Sequence, residues 1–192
     1  MIITEDFLPK DQFDKLQAIV MDRMFPWYYI SHVSMLPGSR EINDPLAIET
    51  DGWYHNIYET ITSTHSYSYD YFIPFFQHLS DVFGYKREQM IRARLSLKTP
   101  KVGFTEDNYN MPHIDDSEPH TTLIFYMNES DGDTRIFDQK YTVLSQPSTF
   151  TTQARVTPKE NRLLSIDGLQ YHTASNPFNT NRRIVLNINI IH

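Results

Sequence analysis

The stretch Arg183-Ile184-Val185-Leu186-Asn187-Ile188-Asn189-Ile190 alternates two kinds of side chain. Ile184, Leu186, Ile188 and Ile190 share one parity, and Arg183, Val185, Asn187 and Asn189 share the other. A period of two is that of a β-strand, whose successive side chains point to opposite faces of a sheet. The period recurs upstream: Ile91, Ala93, Leu95 and Leu97 alternate with Arg92, Arg94, Ser96 and Lys98, and Thr122, Ile124 and Tyr126 alternate with Leu123, Phe125 and Met127. Leu163 to Ile166 adds a short apolar run. Short strands separated by Asn, Gly and Pro predict a mainly β fold of the sandwich or barrel type.

Before residue 90 the spacing is helical. Phe13, Leu16, Val20 and Met24 form one apolar stripe, and Phe75, Phe76, Leu79, Val82 and Phe83 form a second that Gly84 stops. Pro74 is expected in the first turn of the second helix, and both helices are expected on the outside of the barrel. Met35 to Gly52, with Pro37, Gly38 and Pro45, reads as a long irregular connection, either a passive loop or a flap over a site. Thr60 to Tyr71 is rich in Ser, Thr and Tyr. The chain is therefore read as one domain over residues 1–192, with 1–90 as helical support and flap and 91–192 as the β core that carries the site.

Seventeen Lys and Arg against 24 Asp and Glu leave the 192 residues with a net charge of −7. Hydrophobic residues at 40% are too many for a disordered chain. The acidic balance argues against bulk electrostatic attraction to nucleic acid, although a local basic groove is compatible with it. No apolar run reaches the length of about 18 residues that a membrane span needs, and Glu5 and Asp6 come too early for a signal peptide, so no membrane partner and a cytoplasmic location are expected. With no cysteine, disulfides, thiolate zinc sites and thiol nucleophiles are excluded, and eight histidines remain as metal-binding or proton-transfer groups.

Among these, His113-Ile114-Asp115 places an imidazole and a carboxylate two residues apart, on one face of an extended segment. His-x-Asp arises readily by chance in such a chain, so its weight comes from a third ligand. His172, just past the turn Asp167-Gly168, is the best placed. Two imidazoles and one carboxylate leave three positions open on an octahedral metal, the arrangement of non-haem Fe(II) oxygenases. Of the others, Asp116 points to the opposite face and reads as solvated. His120 reads as a loop residue or substrate contact. His32, His55, His65 and His78 read as ordinary surface or core-edge histidines, and His192 is the last residue. Arg92 and Arg94 read as a solvated strand face or the lining of a substrate groove.

Residues 90–192 resemble the Fe(II)- and 2-oxoglutarate-dependent dioxygenases, in particular the prolyl-hydroxylase-like branch and its phage relatives. The resemblance lies in an ordered series: His113-x-Asp115, Tyr126-Met127-Asn128, Gly132-Asp133-Thr134, Asn161-Arg162-Leu163-Leu164, Asp167-Gly168, His172, and Arg183 four residues before Asn187. Asp6-Phe7-Leu8-Pro9 and Phe25-Pro26-Trp27-Tyr28 also look like the phage relatives. The segment Asp138 to Pro158 is longer than in those relatives, and its Ser145-Gln146-Pro147-Ser148-Thr149 stretch is a candidate loop at the pocket mouth.

The resemblance implies a double-stranded β-helix (jelly-roll) core. It further implies Fe(II) held by His113, Asp115 and His172, with 2-oxoglutarate and dioxygen as cosubstrates and ascorbate as a possible requirement for full activity. The far carboxylate of 2-oxoglutarate needs a bidentate cation. Strand periodicity alone favours Arg182, which shares parity with the apolar Ile184, Leu186, Ile188 and Ile190, whereas the register of the family favours Arg183. Tyr126, with Thr122 on its face, and Asn187 complete the implied cosubstrate site. The implied reaction hydroxylates a substrate, a peptide prolyl or other side chain being favoured over a small molecule, and releases succinate and carbon dioxide in the cytoplasm (a host's, if the source is viral). A metal-binding, cupin-like barrel without this turnover is the alternative, since fold does not fix function.

Overall fold

The computed structural model describes residues 1–32, 42, 44–60, 64–144 and 147–192, with the side chain of Thr64 left aside. Two antiparallel sheets carry the fold. The larger has eight strands: β1 (Ile2–Thr4), β2 (Tyr28–Ile30), β3 (Gly52–Glu59), β4 (Thr64–His65), β5 (Met90–Lys98), β6 (His120–Tyr126), β9 (Leu163–Asp167) and β11 (Arg183–Ile191). Their order is β1-β9-β6-β11-β5-β3-β2, with β4 paired to β3. The smaller sheet, ordered β10-β7-β8, joins β7 (Thr134–Lys140), β8 (Thr152–Val156) and β10 (Gln170–Ala174).

The alternation along β11 divides the large sheet into two faces. Ile184, Leu186, Ile188 and Ile190 join Ala93 and Leu95 of β5 and Leu123 and Phe125 of β6 in a core that also contains Phe13, Leu16 and Val20 of α1 (Lys10–Met21) and Phe72, Phe75 and Leu79 of α2 (Tyr69–Phe83). Phe75 meets Phe125 with ring centroids 4.9 Å apart, inside the distance at which aromatic pairs attract. The other face carries Arg92, Arg94, Lys98, Thr122, Arg183, Asn187 and Asn189 and looks towards the small sheet. Cavity-lining residues come from both sheets.

Several expectations shift. α1 ends at Met21, so Met24 is outside it and exposed. α2 begins at Tyr69, before the predicted stripe, and Pro74 lies inside it, beyond the first turn. Gly84 closes α2 in the left-handed conformation with φ 72°. His120 is the first residue of β6 and is buried; its ring packs so closely on Gly168 that a Cβ there would lie 2.2 Å from Nε2. Asp138 to Pro158 is largely a hairpin, with β7 running to Lys140 and β8 starting at Thr152. Ser145 and Gln146 lie outside the described residues, as do residues 61–63 of the Ser/Thr/Tyr-rich patch. Of the Met35–Gly52 connection, 35–41 and Asn43 lie outside them too; its later part bridges Ala47 to Tyr109.

Two fragments of the resemblance prove to be halves of one contact. Asn161, at φ 59°, accepts a hydrogen bond from Leu8 N at 2.8 Å on its side-chain oxygen and donates from its amide nitrogen to Leu8 O at 2.8 Å. Its carbonyl accepts from Phe7 N. One side chain thus satisfies a backbone donor and acceptor of the N-terminal segment, and Asn tolerates the left-handed backbone better than most residues. No helix among the described residues is long and apolar enough to cross a membrane.

Candidate metal centre

His113 and His172 face each other across an isolated antiparallel bridge in which each backbone N–H donates to the other's carbonyl at 3.0 Å. The segment before His113 is tied to the end of β10. Asn110 N donates to Ala174 O, Thr173 Oγ1 donates to Asn110 O, and the buried amides of Asn110 and Asn176 bond one another at 2.9 Å. The two imidazoles are therefore set by a short ladder and a fully buried amide network.

Each ring has its Nδ1 within 3.0 Å of a backbone carbonyl, that of Met111 for His113 and that of Gln170 for His172. A carbonyl oxygen only accepts, so in each neutral ring Nδ1 carries the hydrogen and Nε2 presents a lone pair. His172 Nε2 is buried, has no hydrogen-bond partner among the described residues and lies 3.6 Å from Asp115 Oδ2. Ligand atoms of His113, Asp115 and His172 all lie within 4.8 Å of one another. A buried imidazole nitrogen with no donor facing it, beside a second imidazole and a carboxylate, fits a divalent metal ion with open positions.

Asp115 is held by one row of the large sheet. Arg92 of β5, Asn189 of β11 and Thr122 of β6 are cross-strand neighbours. Arg92 NH2 donates to Oδ1 at 2.7 Å, while Asn189 Nδ2 at 2.9 Å, Asn187 Nδ2 at 3.1 Å and Thr122 Oγ1 at 3.3 Å approach Oδ2. Burial pushes the Asp115 carboxyl up, but Arg92, His172 and His113 outweigh it and hold the group well below the usual carboxylate range. Burial and the neighbouring His172 pull His113 down to about 4, so it is neutral at pH 7. His172 is raised: burial opposes its charge, but the adjacent Asp115 wins.

A cavity opens beside the triad, its lining including His113, His172, Thr134, Ile124, Asn187, Arg183 and Lys98 as well as Arg94, Tyr54, Trp53 and Ile30. Arg183, 2% exposed, donates through Nε to Gly132 O and through NH2 to Thr134 Oγ1, both at 2.7 Å. Gly132 admits this approach: a Cβ there would meet Ser175 O at 2.6 Å and Arg183 Cδ at 3.1 Å. The Tyr126 hydroxyl bonds Thr134 Oγ1 at 2.7 Å, and the Arg183 guanidinium lies over the Tyr126 ring at 5.8 Å. Arg182 is exposed. The apolar parity of β11 packs on the helices and the polar parity faces the cavity, so the rule that apolar residues point to the core holds for the outer core instead of the site.

The structure thus brings His113, Asp115 and His172 together, places Arg183 and Asn187 on the cavity, sets Tyr126 behind Thr134, and puts Thr122 against Asp115. Arg92 and Arg94 are not a solvated face: Arg92 pairs with Asp115, and Arg94 donates to Asn56 Oδ1 at 2.7 Å while lying over Tyr54. Sequence reasoning missed Asn189, Thr134 and Lys98. The signal for Asn189 and Lys98 was strand parity, which Asn189 shares with Asn187 and Lys98 with Arg94.

No family model matches the chain, and no curated protein matches it significantly by sequence. Solved structures do. A prolyl hydroxylase from Trichoplax adhaerens, in complex with a hypoxia inducible factor peptide fragment, superposes with a TM-score of 0.61 at 11% identity over 99% of this chain and 82% of that one. This chain has the fold of the 2-oxoglutarate Fe(II) oxygenases, mainly β and of jelly-roll type. A Pseudomonas putida prolyl-4-hydroxylase gives 0.57 at 14% identity over 100% and 92%. A viral collagen prolyl hydroxylase from Paramecium Bursaria Chlorella virus-1, in its 2OG complex, gives 0.54 at 11% identity over 100% and 96%. At such identities the likeness concerns the fold; the site stands on its own geometry.

Proposed function

We propose that this chain is an Fe(II)- and 2-oxoglutarate-dependent oxygenase that hydroxylates a side chain of a peptide, a prolyl residue being the favoured target. The observation that carries this reading is the pair of Nε2 lone pairs fixed beside Asp115, on a cavity whose wall also holds the buried Arg183. His113, Asp115 and His172 would hold the iron. When bound, the metal would supply activation of dioxygen coupled to decarboxylation of 2-oxoglutarate to succinate.

The protein's own part is positioning. Met111 O and Gln170 O fix the imidazole tautomers, and Arg92, Asn187 and Asn189 keep Asp115 ionised and oriented. Arg183, held by Gly132 and Thr134, presents a fixed cation to the far carboxylate of the cosubstrate, with Tyr126 and Thr134 behind it. Ile30, Trp53 and Tyr54 offer an apolar and aromatic stretch of lining on which a peptide side chain can rest. A peptide substrate also agrees with the peptide in the Trichoplax complex.

Purified protein given Fe(II), ascorbate and 2-oxoglutarate under air is expected to release succinate, faster with a substrate peptide, and His172→Ala is expected to release none. Succinate release equal in the wild type and His172→Ala, with proline-containing peptides present, would sink the proposal. A one-oxygen mass gain on a peptide identifies the substrate.

A further inference from the structure

β5 puts Arg92, Arg94, Ser96 and Lys98 on the cavity face. Arg92 has Asp115, and Arg94 has Asn56 and the ring of Tyr54. Lys98 is different: the residue is 6% exposed, lines the cavity, and its buried Nζ has no hydrogen-bond partner among the described residues. It stands directly across the ladder from Arg183. Cross-strand neighbours on one face have Cβ atoms about 5 Å apart, so two buried cationic side chains stand side by side on the cavity wall.

The nearby acids among the described residues do not neutralise that pair by contact. Glu49 and Asp51 act on Lys98 only through space, against the opposing charges of Arg183 and Lys101, and Asp133 acts on Arg183 in the same way; Asp51 is itself paired with Lys101 and Asp133 with Arg155. Among the described residues, the acceptors of Arg183 are a carbonyl and a hydroxyl, both neutral. Buried like charges without a contacting counter-charge are unfavourable unless an anion joins them.

We propose that Lys98 is a cosubstrate-binding residue, its Nζ forming with Arg183 a two-cation seat for the far carboxylate of 2-oxoglutarate. This inference rests on the 2-oxoglutarate reading of the cavity. It carries a consequence that a single arginine would not. Burial, then the neighbouring Arg183, pulls the Lys98 amine down to about 7, so in the ligand-free protein much of it is uncharged at neutral pH. A carboxylate alongside favours the ammonium, so binding draws in a proton. Affinity is therefore highest below about pH 7, where Lys98 is already charged, and falls as pH rises above it.

Anaerobic calorimetry of 2-oxoglutarate binding to the Fe(II)-loaded protein at pH 8, in two buffers of different ionisation heat, reads affinity and proton uptake together. Lys98→Met is expected to weaken binding about tenfold or more, the loss of one charged hydrogen bond, and to remove the lysine-linked proton uptake. Lys98→Arg is expected to keep most of the affinity but take up no such proton, since arginine is always charged. Ligand-free Lys98→Met should melt at or above the wild-type temperature, because an unpartnered amine leaves the interior; if it fails to fold, Lys98→Arg and the wild-type pH dependence carry the test. Wild-type affinity and proton uptake in both variants would overturn the role of Lys98 while leaving the oxygenase reading intact. Failure of the wild type itself to bind 2-oxoglutarate would overturn that reading and the seat with it.

Discussion

The two faces of the large sheet are built from the same strands by opposite rules. On the helix side Leu95, Leu123, Phe125, Leu186 and Ile188 are all fully buried against α1 and α2, and any similar apolar residue would serve there. On the cavity side Arg92, Thr122, Asn187 and Asn189 are each matched to particular atoms, and four of their contacts converge on one carboxylate. The first face supplies stability, about 1.5 to 3 kcal/mol for each large side chain removed from water. The second buries polar groups that gain little net energy from one another and are useful because they hold Asp115 and the cavity in one geometry. Substitutions one residue apart on β11 should therefore fail in different assays.

The largest effect is expected on the cavity side. His172→Ala removes a nitrogen of the proposed iron site, and iron affinity, read from the metal retained after gel filtration by elemental analysis, should fall about a thousandfold or more with circular dichroism unchanged. Stoichiometric iron in this variant would mean that the triad is not the metal site. Next comes Phe125→Ala on the opposite face, expected to cost about 3 to 5 kcal/mol in urea unfolding, because the ring sits among Phe7, Phe13 and Phe75. Its folded fraction should bind iron as the wild type does. A parallel loss of iron affinity would erase the distinction between the faces.

Arg183→Met tests the cationic part of the cavity wall. Loss of a buried bidentate-capable cation should weaken 2-oxoglutarate binding about 30- to 100-fold, roughly 2 to 3 kcal/mol, with iron affinity unchanged. Equal binding by both proteins would move the far carboxylate elsewhere, and a matching drop in Arg182→Met would restore the parity argument that the fold opposes.

What the sequence made legible follows the same division. Period-two alternation located β5, β6 and β11, because a strand between an apolar and a polar layer must sort its side chains by face, and a short apolar run located β9. β3, β7 and β10 were not picked out, since Trp53 to Tyr58, Thr134 to Lys140 and Gln170 to Ala174 mix polar and apolar residues on both parities, and β8 is only five residues long with few apolar side chains. The triad followed from spacing and from the order of the surrounding motifs. Its supports did not, because Arg92 and Asn189 become partners of Asp115 only when β5 and β11 pair in one register, and register is a tertiary fact. Between Arg182 and Arg183, periodicity pointed to the wrong residue and only the register of the resemblance pointed to Arg183: until a second apolar layer covers the outside of the sheet, nothing in β11 says which parity is inner.

The smallest predicted effects come from adjacent residues. Ile188→Val removes one methylene from the outer core and should cost about 0.5 to 1.5 kcal/mol in unfolding while leaving iron affinity alone. Asn189→Ala should do the reverse. Its amide donates to Asp115 Oδ2 at 2.9 Å and to Thr122 Oγ1 at 3.2 Å, and partners that orient a metal ligand are worth about 10- to 100-fold in metal affinity. The low end is expected, about tenfold, because Asn187 Nδ2 bonds the same oxygen and Arg92 still fixes Oδ1. That redundancy makes the pair non-additive: Asn187→Ala with Asn189→Ala should lose more iron affinity than the two single losses multiplied, since the second removal leaves Oδ2 without an amide donor. Metal titration of the four proteins measures the coupling. Strict additivity would mean that the asparagines act independently, and no loss in any of them would mean that Arg92 alone orients the carboxylate.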